Sequence, residues 1–261
     1  MRCLKSNSCI TIALVVILFA ILGLSSDLKA QTCGFGCLGL GGFYGGYTVQ
    51  KYEPNGLNDF IHAYNNEHSA TLKEKMKDFG SSAAGFRVGA NIFRTRSSHL
   101  FFSIKGFYQY LKEEHELKDE VSPGSVLSTT YTLDLNYYGL GLDLGVILGK
   151  RVDLKVIDAQ VTFHSADFQP RTSAPDNKIN DSDFENEKTV TGFTIGSGLI
   201  VHIIPDYVSL EATAGYTKFS FDQLRNDSNA NLENSFDTIN NFIKNGGLTA
   251  TIQLNVGIPL F

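Results

Sequence analysis

Residues 248–261, LTATIQLNVGIPLF, decide the fold. Leu248, Ala250, Ile252, Leu254, Val256, Ile258 and Leu260 share one parity, while Thr249, Thr251, Gln253 and Asn255 share the other. This period of two belongs to a strand with one apolar and one polar face; a helix would scatter the same residues around its circumference. The stretch is longer than a typical soluble strand, carries no charge and runs to an aromatic at Phe261. A strand that closes a transmembrane barrel ends this way at the membrane interface, whereas a strand of a soluble sandwich leads into a polar tail. The expectation is therefore a membrane-spanning β-barrel.

The N-terminus fits that expectation. Arg2 and Lys5 give a positive start, residues 10–24 are almost unbroken apolar sequence, and Ala30 before Gln31 supplies a small residue at a cleavage point. The apolar run is short for a membrane helix, which needs about 20 residues. Residues 1–30 are thus expected to be a cleaved export signal and 31–261 a single barrel domain. Cys3 and Cys9 leave with the signal, so Cys33 and Cys37, in Cys-Gly-Phe-Gly-Cys, are expected to form a local disulfide in an oxidising compartment. Two thiols cannot complete a structural zinc site, and neither a metal nor a cofactor is expected.

The formal charge is −5, and removing Arg2, Lys5, Lys29 and Asp27 with the signal, a net +2, leaves −7 for the mature chain. An acidic exported protein is not of the nucleic-acid-binding class. Tryptophan is absent, so any aromatic girdle must come from the 11 tyrosines and 19 phenylalanines.

Eight candidate strands occupy about 38–50, 82–93, 100–111, 129–148, 152–163, 189–203, 207–221 and 248–261. In the fourth, Tyr131, Leu133, Leu135 and Tyr137 read as outward, with Asp134 and Asn136 inward. Leu140, Leu142 and Leu144 then take over the apolar parity opposite Asp143. Such a slip at Gly139 predicts a β-bulge there, and a similar slip predicts another between Val156 and Ile157. Connections alternate without exception: long at about 51–81, 112–128, 164–188 and 222–247, short at 94–99, 149–151 and 204–206. That is the asymmetry of a bacterial barrel with short periplasmic turns and long outer loops. Pro54, Pro123, Pro170 and Pro175 fall in the long loops, as strands require.

The export signal, the glycine-aromatic first strand, the eight alternating strands and the terminal Phe261 together resemble the small eight-stranded outer-membrane barrel proteins, the group that includes the OmpA membrane domain and OmpX-like proteins. The resemblance covers most of the mature chain through pattern and topology. It implies an all-β, antiparallel, up-and-down barrel in a bacterial outer membrane. Phe261 departs from the group by following the polar parity of Asn255.

Eight strands enclose a lumen just wide enough for side chains to fill. Arg87, Lys105, Asp134, Asp143, Asp153 or Lys155, Asp158 and Glu211 lie on the polar parity, so mixed charges are expected to pair as a structural network inside. The competing readings are a narrow passive path for small solutes and a lipid-modifying enzyme. For the latter, His164 beside Ser165 and Asp167 is the histidine to examine, but neighbours on a strand face opposite ways, so the expectation is a loop histidine without a catalytic role.

The long loops, counted over 51–80, 112–127, 165–188 and 222–245, hold 20 acidic and 11 basic residues, net −9. This acidic crown suits an extracellular or envelope protein partner or a solvated face, with outer-membrane lipid the other expected partner; no calcium-loop spacing occurs in it. Leu57, Ile61, Tyr64, His68, Leu72, Met76 and Phe79 recur every three or four residues, which predicts an amphipathic helix capped by Asn55. Leu232, Phe236, Ile239 and Ile243 predict a second helix in the last loop. Strands one and eight are neighbours in a closed barrel, so these two segments are expected to pack together as a cap over the lumen.

Overall fold

The computed structural model describes residues 41–257, apart from 81, 123–124, 174–177, 181–182, 206 and 234–238. The export segment, the cysteine pair, Phe236 and Phe261 lie outside the described residues. Eight long strands form the barrel: β1 (Gly42–Gln50), β2 (Ala83–Arg96), β3 (Leu100–Ser122), β4 (Ser125–Ile147), β5 (Val152–Ser173), β6 (Val190–Ile204), β7 (Val208–Lys218) and β8 (Leu248–Val256). Each pairs antiparallel with the next, and β8 returns to β1 with Tyr47 opposite Ile252, closing the sheet.

Polarity in the lower barrel is inverted relative to a water-soluble protein. In β8, Thr249, Thr251, Gln253 and Asn255 are buried while Leu248, Ile252, Leu254 and Val256 are exposed. The same belt continues around the wall through Phe43, Tyr47, Val88, Leu140, Leu142, Val161, Phe193, Ile195 and Leu210. Water does not tolerate a contiguous apolar band of this extent, whereas lipid matches it. Closure also leaves no strand edge to be hydrogen-bonded within the bilayer.

Three strands run far beyond that belt. The outer loop expected at 112–128 is instead a continuation of the β3–β4 hairpin, paired from Leu100↔Val146 up to Ser122↔Ser125. β5 likewise continues past Phe163 to Ser173 alongside β4. The bulge expected at Gly139 is absent: Gly139 stays in register with Phe107 on one side and Thr162 on the other. From Thr129 to Gly145 the odd-numbered residues of β4 are buried, among them Tyr131, Leu133, Leu135, Tyr137 and Asp143. The apolar parity switches because the surroundings change. Within the membrane the exterior is lipid and the interior polar; above it the exterior is water and the interior a hydrophobic core. The bulge at Val156 and Ile157 does form, since Leu144 pairs with Ile157 while Gly145 pairs with Lys155. Both bulged residues face lipid, which leaves Lys155 and Asp158 pointing inward together.

The upper core is built by the loops. Helix α1 (Asn55–Glu67) buries Leu57 and Ile61 completely. It is shorter than the periodicity suggested, and Asn55 is its first residue rather than its cap. The first amide donors of the helix bond to backbone carbonyls instead: Gly56 N to Asn241 O at 3.0 Å, and Leu57 N to Phe242 O at 3.4 Å. These acceptors belong to the last loop, so the orphan amides of the helix end are satisfied by the segment it packs against. Gly56 permits that approach, because a Cβ there would stand 2.4 Å from Asn240 O. Two asparagines of α1 clamp the returning chain. Asn65 exchanges hydrogen bonds with the backbone of Met76 at 2.9 and 3.1 Å, and Asn58 does the same with Phe79 at 3.1 and 2.9 Å.

No helix forms among the described residues of the last loop. A β-bridge between Phe221 and Ile243 and a bond from Ile239 N to Leu232 O fold it back on itself. Its apolar residues nonetheless reach the core: Leu232, Ile239, Phe242 and Ile243 are buried with Leu57, Ile61, Met76, Phe79, Leu111, Leu133 and Phe168. The first and last loops thus pack on each other over the barrel mouth, as expected from the adjacency of β1 and β8.

Candidate functional site

The lumen fills from bottom to top in three layers, each set by inward residues of neighbouring strands. At the end of the short turns, Asp153 is fully buried and receives Arg96 at 3.1 Å, Arg94 at 3.8 Å and His202 Nε2 at 2.8 Å. Phe101 lies beside Arg94, with the guanidinium 5.6 Å from the ring centre.

The middle layer is a cluster of two lysines and three carboxylates. Lys105 stands 2.9 Å from Asp143 and 2.7 Å from Asp158, and Lys155 stands 3.0 Å from Asp143 and 3.5 Å from Asp158 while also pairing with Glu211. Ser103 donates to Asp143 at 3.0 Å, Gln160 to Asp158 at 2.7 Å and Asn255 to Glu211 at 3.2 Å. Each carboxylate therefore holds a neutral donor as well as an ammonium. Removing charges from water demands partners of this kind, and only Asp143 Oδ1 among the cluster's carboxylate oxygens has no hydrogen bond of good geometry, though it lies 2.9 Å from Lys105. Arg87, outside this ion cluster, donates to Gln109 at 2.6 Å and lies over the Phe107 ring at 4.3 Å.

Aromatic side chains close the top. Tyr137 accepts a hydrogen bond from Gln109, donates to Gln50 at 3.0 Å, and packs against Phe107 and His164. His164 is stacked between Tyr137 and Phe219, at 4.4 and 4.3 Å, with its Nε2 2.7 Å from Thr162. Above this layer the hydrophobic core begins.

Of the lumen candidates, Lys105, Asp143, Asp158 and Glu211 come together, and both Asp153 and Lys155 also face inward. Arg87 is inward but outside the ion cluster. Asp134 is not in the lumen: it lies on the outer face of β4, where Tyr110 donates to it at 2.6 Å. Its misplacement follows from the bulge wrongly expected at Gly139. His164 and Ser165 do point opposite ways, Ser165 being exposed, but His164 is a buried strand residue rather than a loop one. Among the described residues no group of three His, Cys, Asp or Glu side chains could hold a metal ion.

The cap has its own buried carboxylate, which sequence reading missed. Glu113 accepts from Tyr52 at 2.7 Å and from Gly80 N at 3.2 Å, and lies 3.1 Å from His115 Nε2, fastening the first loop to β3. Burial, and then the Glu113 charge, push the Tyr52 hydroxyl well above its ordinary range, so it remains a donor. Its signal in the sequence is only that Glu113 falls on the inward parity of Gln109 and Leu111.

Asp167 on the outer stretch of β5 is the opposite case. Its carboxyl is raised by partial burial and by Glu185, Asp183 and Asp134 nearby. The folded state therefore binds its proton more tightly than the unfolded chain does, and the group opposes folding as pH rises through the carboxylate range. Asp167→Asn is expected to raise the unfolding midpoint at neutral pH, with the gain shrinking as pH falls into that range. Urea titrations at several pH values measure it.

A closed eight-stranded sheet with a lipid-facing belt, a charged and filled lumen and short turns at one end defines a small transmembrane β-barrel of the outer-membrane type. No protein-family model and no curated protein matches the chain. Solved structures similar to it include Ail, the attachment invasion locus protein of Yersinia pestis, at 12% identity and a TM-score of 0.40, over 83% of this chain and 97% of that one. Neisserial surface protein A aligns at 15% identity and 0.37, over 84% and 99%, and the outer membrane protease OmpT from Escherichia coli at 8% and 0.34, over 84% and 94%. These likenesses are distant, and nothing about activity is carried across from them.

Proposed function

We propose that this protein is a non-catalytic outer-membrane barrel that displays a folded cap at the cell surface, with its lumen serving as structure rather than as a path. The observation that carries this reading is the continuity of the filling. The ion cluster around Lys155, the aromatic layer of Tyr137, His164 and Phe219, and the core of Leu57, Leu133, Phe168 and Phe242 follow one another among the described residues, and the cavity beside Arg87, Asp158 and Thr251 holds only about 10 Å³, room for about one water. A solute would have to displace paired charges and then a packed apolar core, and either step is costly. His164 makes a poor general base, being boxed in by two aromatic rings with Thr162 as its polar neighbour. The cap is held by buried side chains and backbone hydrogen bonds, as suits a surface presented to a protein partner.

Planar-bilayer recording on the purified, refolded chain tests the reading. The expected result is a flat trace, without unitary steps, at either polarity. Discrete, reproducible steps would replace this proposal with the narrow-channel alternative, and turnover of phospholipid or lipid A by the same preparation would replace it with the enzymatic one.

A further inference from the structure

The outer rim of the lipid-facing belt differs between the two sides of the barrel. On β2–β4 it is satisfied internally: Tyr108 donates to Asn136 and Tyr110 to Asp134, both at 2.6 Å, and Lys112 pairs with Glu114 at 2.6 Å. Farther out, Lys73, Lys118, Arg171 and Arg225 also have carboxylate partners. On β7, β8 and β1 the rim is cationic and unsatisfied. Lys51, Lys218 and Lys244 are exposed and have no ion pair among the described residues.

Register fixes the depth of two of these lysines. Lys218 is paired across the sheet with Phe193, which is 52% exposed in the lipid belt. Lys51 donates its backbone N–H to Leu248 O, and Leu248 in turn pairs with Tyr216, both being lipid-facing. Each ammonium thus projects beside the last apolar and aromatic residues of the belt, at the level of lipid headgroups. Between them, just before β8, lies Gly246, a buried position where a Cβ would stand 2.2 Å from Thr217 O and 2.9 Å from the Phe219 ring. From strand spacing and rise, the Cα atoms of Lys51 and Lys218 are on the order of 12 Å apart, so two extended lysines can meet one anion. Glu53, bridged to Asn245 beside Lys244, has its carboxylate engaged by Asn245 at 3.1 Å.

We propose that Lys51 and Lys218, supported by Lys244, form a binding site for the phosphate of a membrane glycolipid in the outer leaflet. The partner must be anionic, because the cations lack carboxylates; it must be a lipid, because the site is continuous with Tyr47, Leu248, Tyr216 and Phe193. A phosphate monoester suits two ammonium groups better than a singly charged phosphodiester does. This inference rests on the transmembrane reading of the barrel.

The test reconstitutes the full mature chain into phosphatidylcholine vesicles containing a minor fraction of diphosphoryl lipid A or of phosphatidylglycerol. Gel mobility before and after boiling confirms insertion, and native mass spectrometry of the extracted protein then counts retained lipid. The expected result is selective retention of lipid A, weakened about tenfold per lysine in Lys51→Gln and Lys218→Gln. Lys75→Gln/Lys77→Gln, which removes two exposed lysines from the first loop, should leave retention unchanged. Equal retention by the Lys51→Gln/Lys218→Gln variant, equal loss in the loop control, no preference for lipid A, or displacement by free inorganic phosphate would each overturn the proposal. A chain that inserts normally but ignores lipid A loses only this inference, and a chain that fails to insert contradicts the barrel reading itself.

Discussion

Lys155→Met is expected to lower the unfolding free energy by about 3–5 kcal/mol, the range for breaking a buried ion pair and stranding its partner. Lys155 reaches all three carboxylates of the middle layer, whereas Lys105 reaches only Asp143 and Asp158. After the substitution Glu211 keeps Asn255 as a donor but loses its ion-pair partner among the described residues. Adding Glu211→Gln to the same chain removes the stranded charge, so the double variant should regain part of the loss. Urea titration of the refolded protein, followed by the gel shift between folded and boiled forms, measures both. Lys75→Met, on the exposed first loop, is the control and should stay within about 0.5 kcal/mol of the parent. A Lys155→Met barrel as stable as the parent would mean that the cluster is not dry.

Phe242→Ala is expected to loosen the cap without opening the barrel. Phe242 is fully buried and meets Phe168 edge-on at 5.7 Å, while its carbonyl receives the amide of Leu57 at the start of α1. Truncating a buried phenylalanine costs about 3–5 kcal/mol, and here the loss falls on a unit outside the membrane. Three kcal/mol is more than a hundredfold in an opening equilibrium. Amide exchange in α1 should therefore accelerate by at least about that factor, with exchange in β6–β8 unchanged. The contrast with Lys155→Met is the point of the pair: one weakens the membrane-embedded wall and the other the layer above it. Equal acceleration in wall and cap would mean that the two unfold as a single unit.

How much of this was legible in the sequence depended on which side of the membrane boundary a residue lies. Inside the bilayer each strand keeps one environment on each face, so period-two reading put Leu140, Leu142 and Leu144 on the apolar face and Lys105, Asp143 and Glu211 within. The paired slip at Val156 and Ile157 was readable because both neighbours remain in lipid, where a change of parity requires an extra residue. At Gly139 the same sign had another cause. The strand leaves the membrane there, and Tyr137 and Leu135 stay inward in a different solvent. A pattern of hydrophobicity reports the product of orientation and environment, and it cannot separate them where both are free to change. Asp134 was misassigned for that reason, and the outer loop at 112–128 was missed as sheet because its residues are too polar to read as a wall. The first-loop helix was legible from Leu57, Ile61 and Tyr64, but its end was not, since Leu72, Met76 and Phe79 continue the apolar spacing on a chain that has turned back. The last loop shows the converse: Leu232, Ile239 and Ile243 were rightly apolar for burial, yet none of them lies on a helix among the described residues, because irregular chain can bury residues at any spacing.

The central claim is that β4 crosses the membrane boundary in one register, and site-directed spin labelling tests it most directly. Single cysteines at Asp134, Asn136, Tyr138, Leu140 and Leu142, each carrying a nitroxide in bilayer-reconstituted protein, are probed with oxygen, which concentrates in lipid, and with a water-soluble nickel chelate. The prediction is that all five labels face outward, the labels at Leu140 and Leu142 answering to oxygen and those at Asp134 and Asn136 to nickel, with Tyr138 at the crossover. If instead the labels at Asp134 and Asn136 were shielded from nickel while a label at Leu135 was open to oxygen, the strand would carry a bulge at Gly139 and this account of the wall would be wrong.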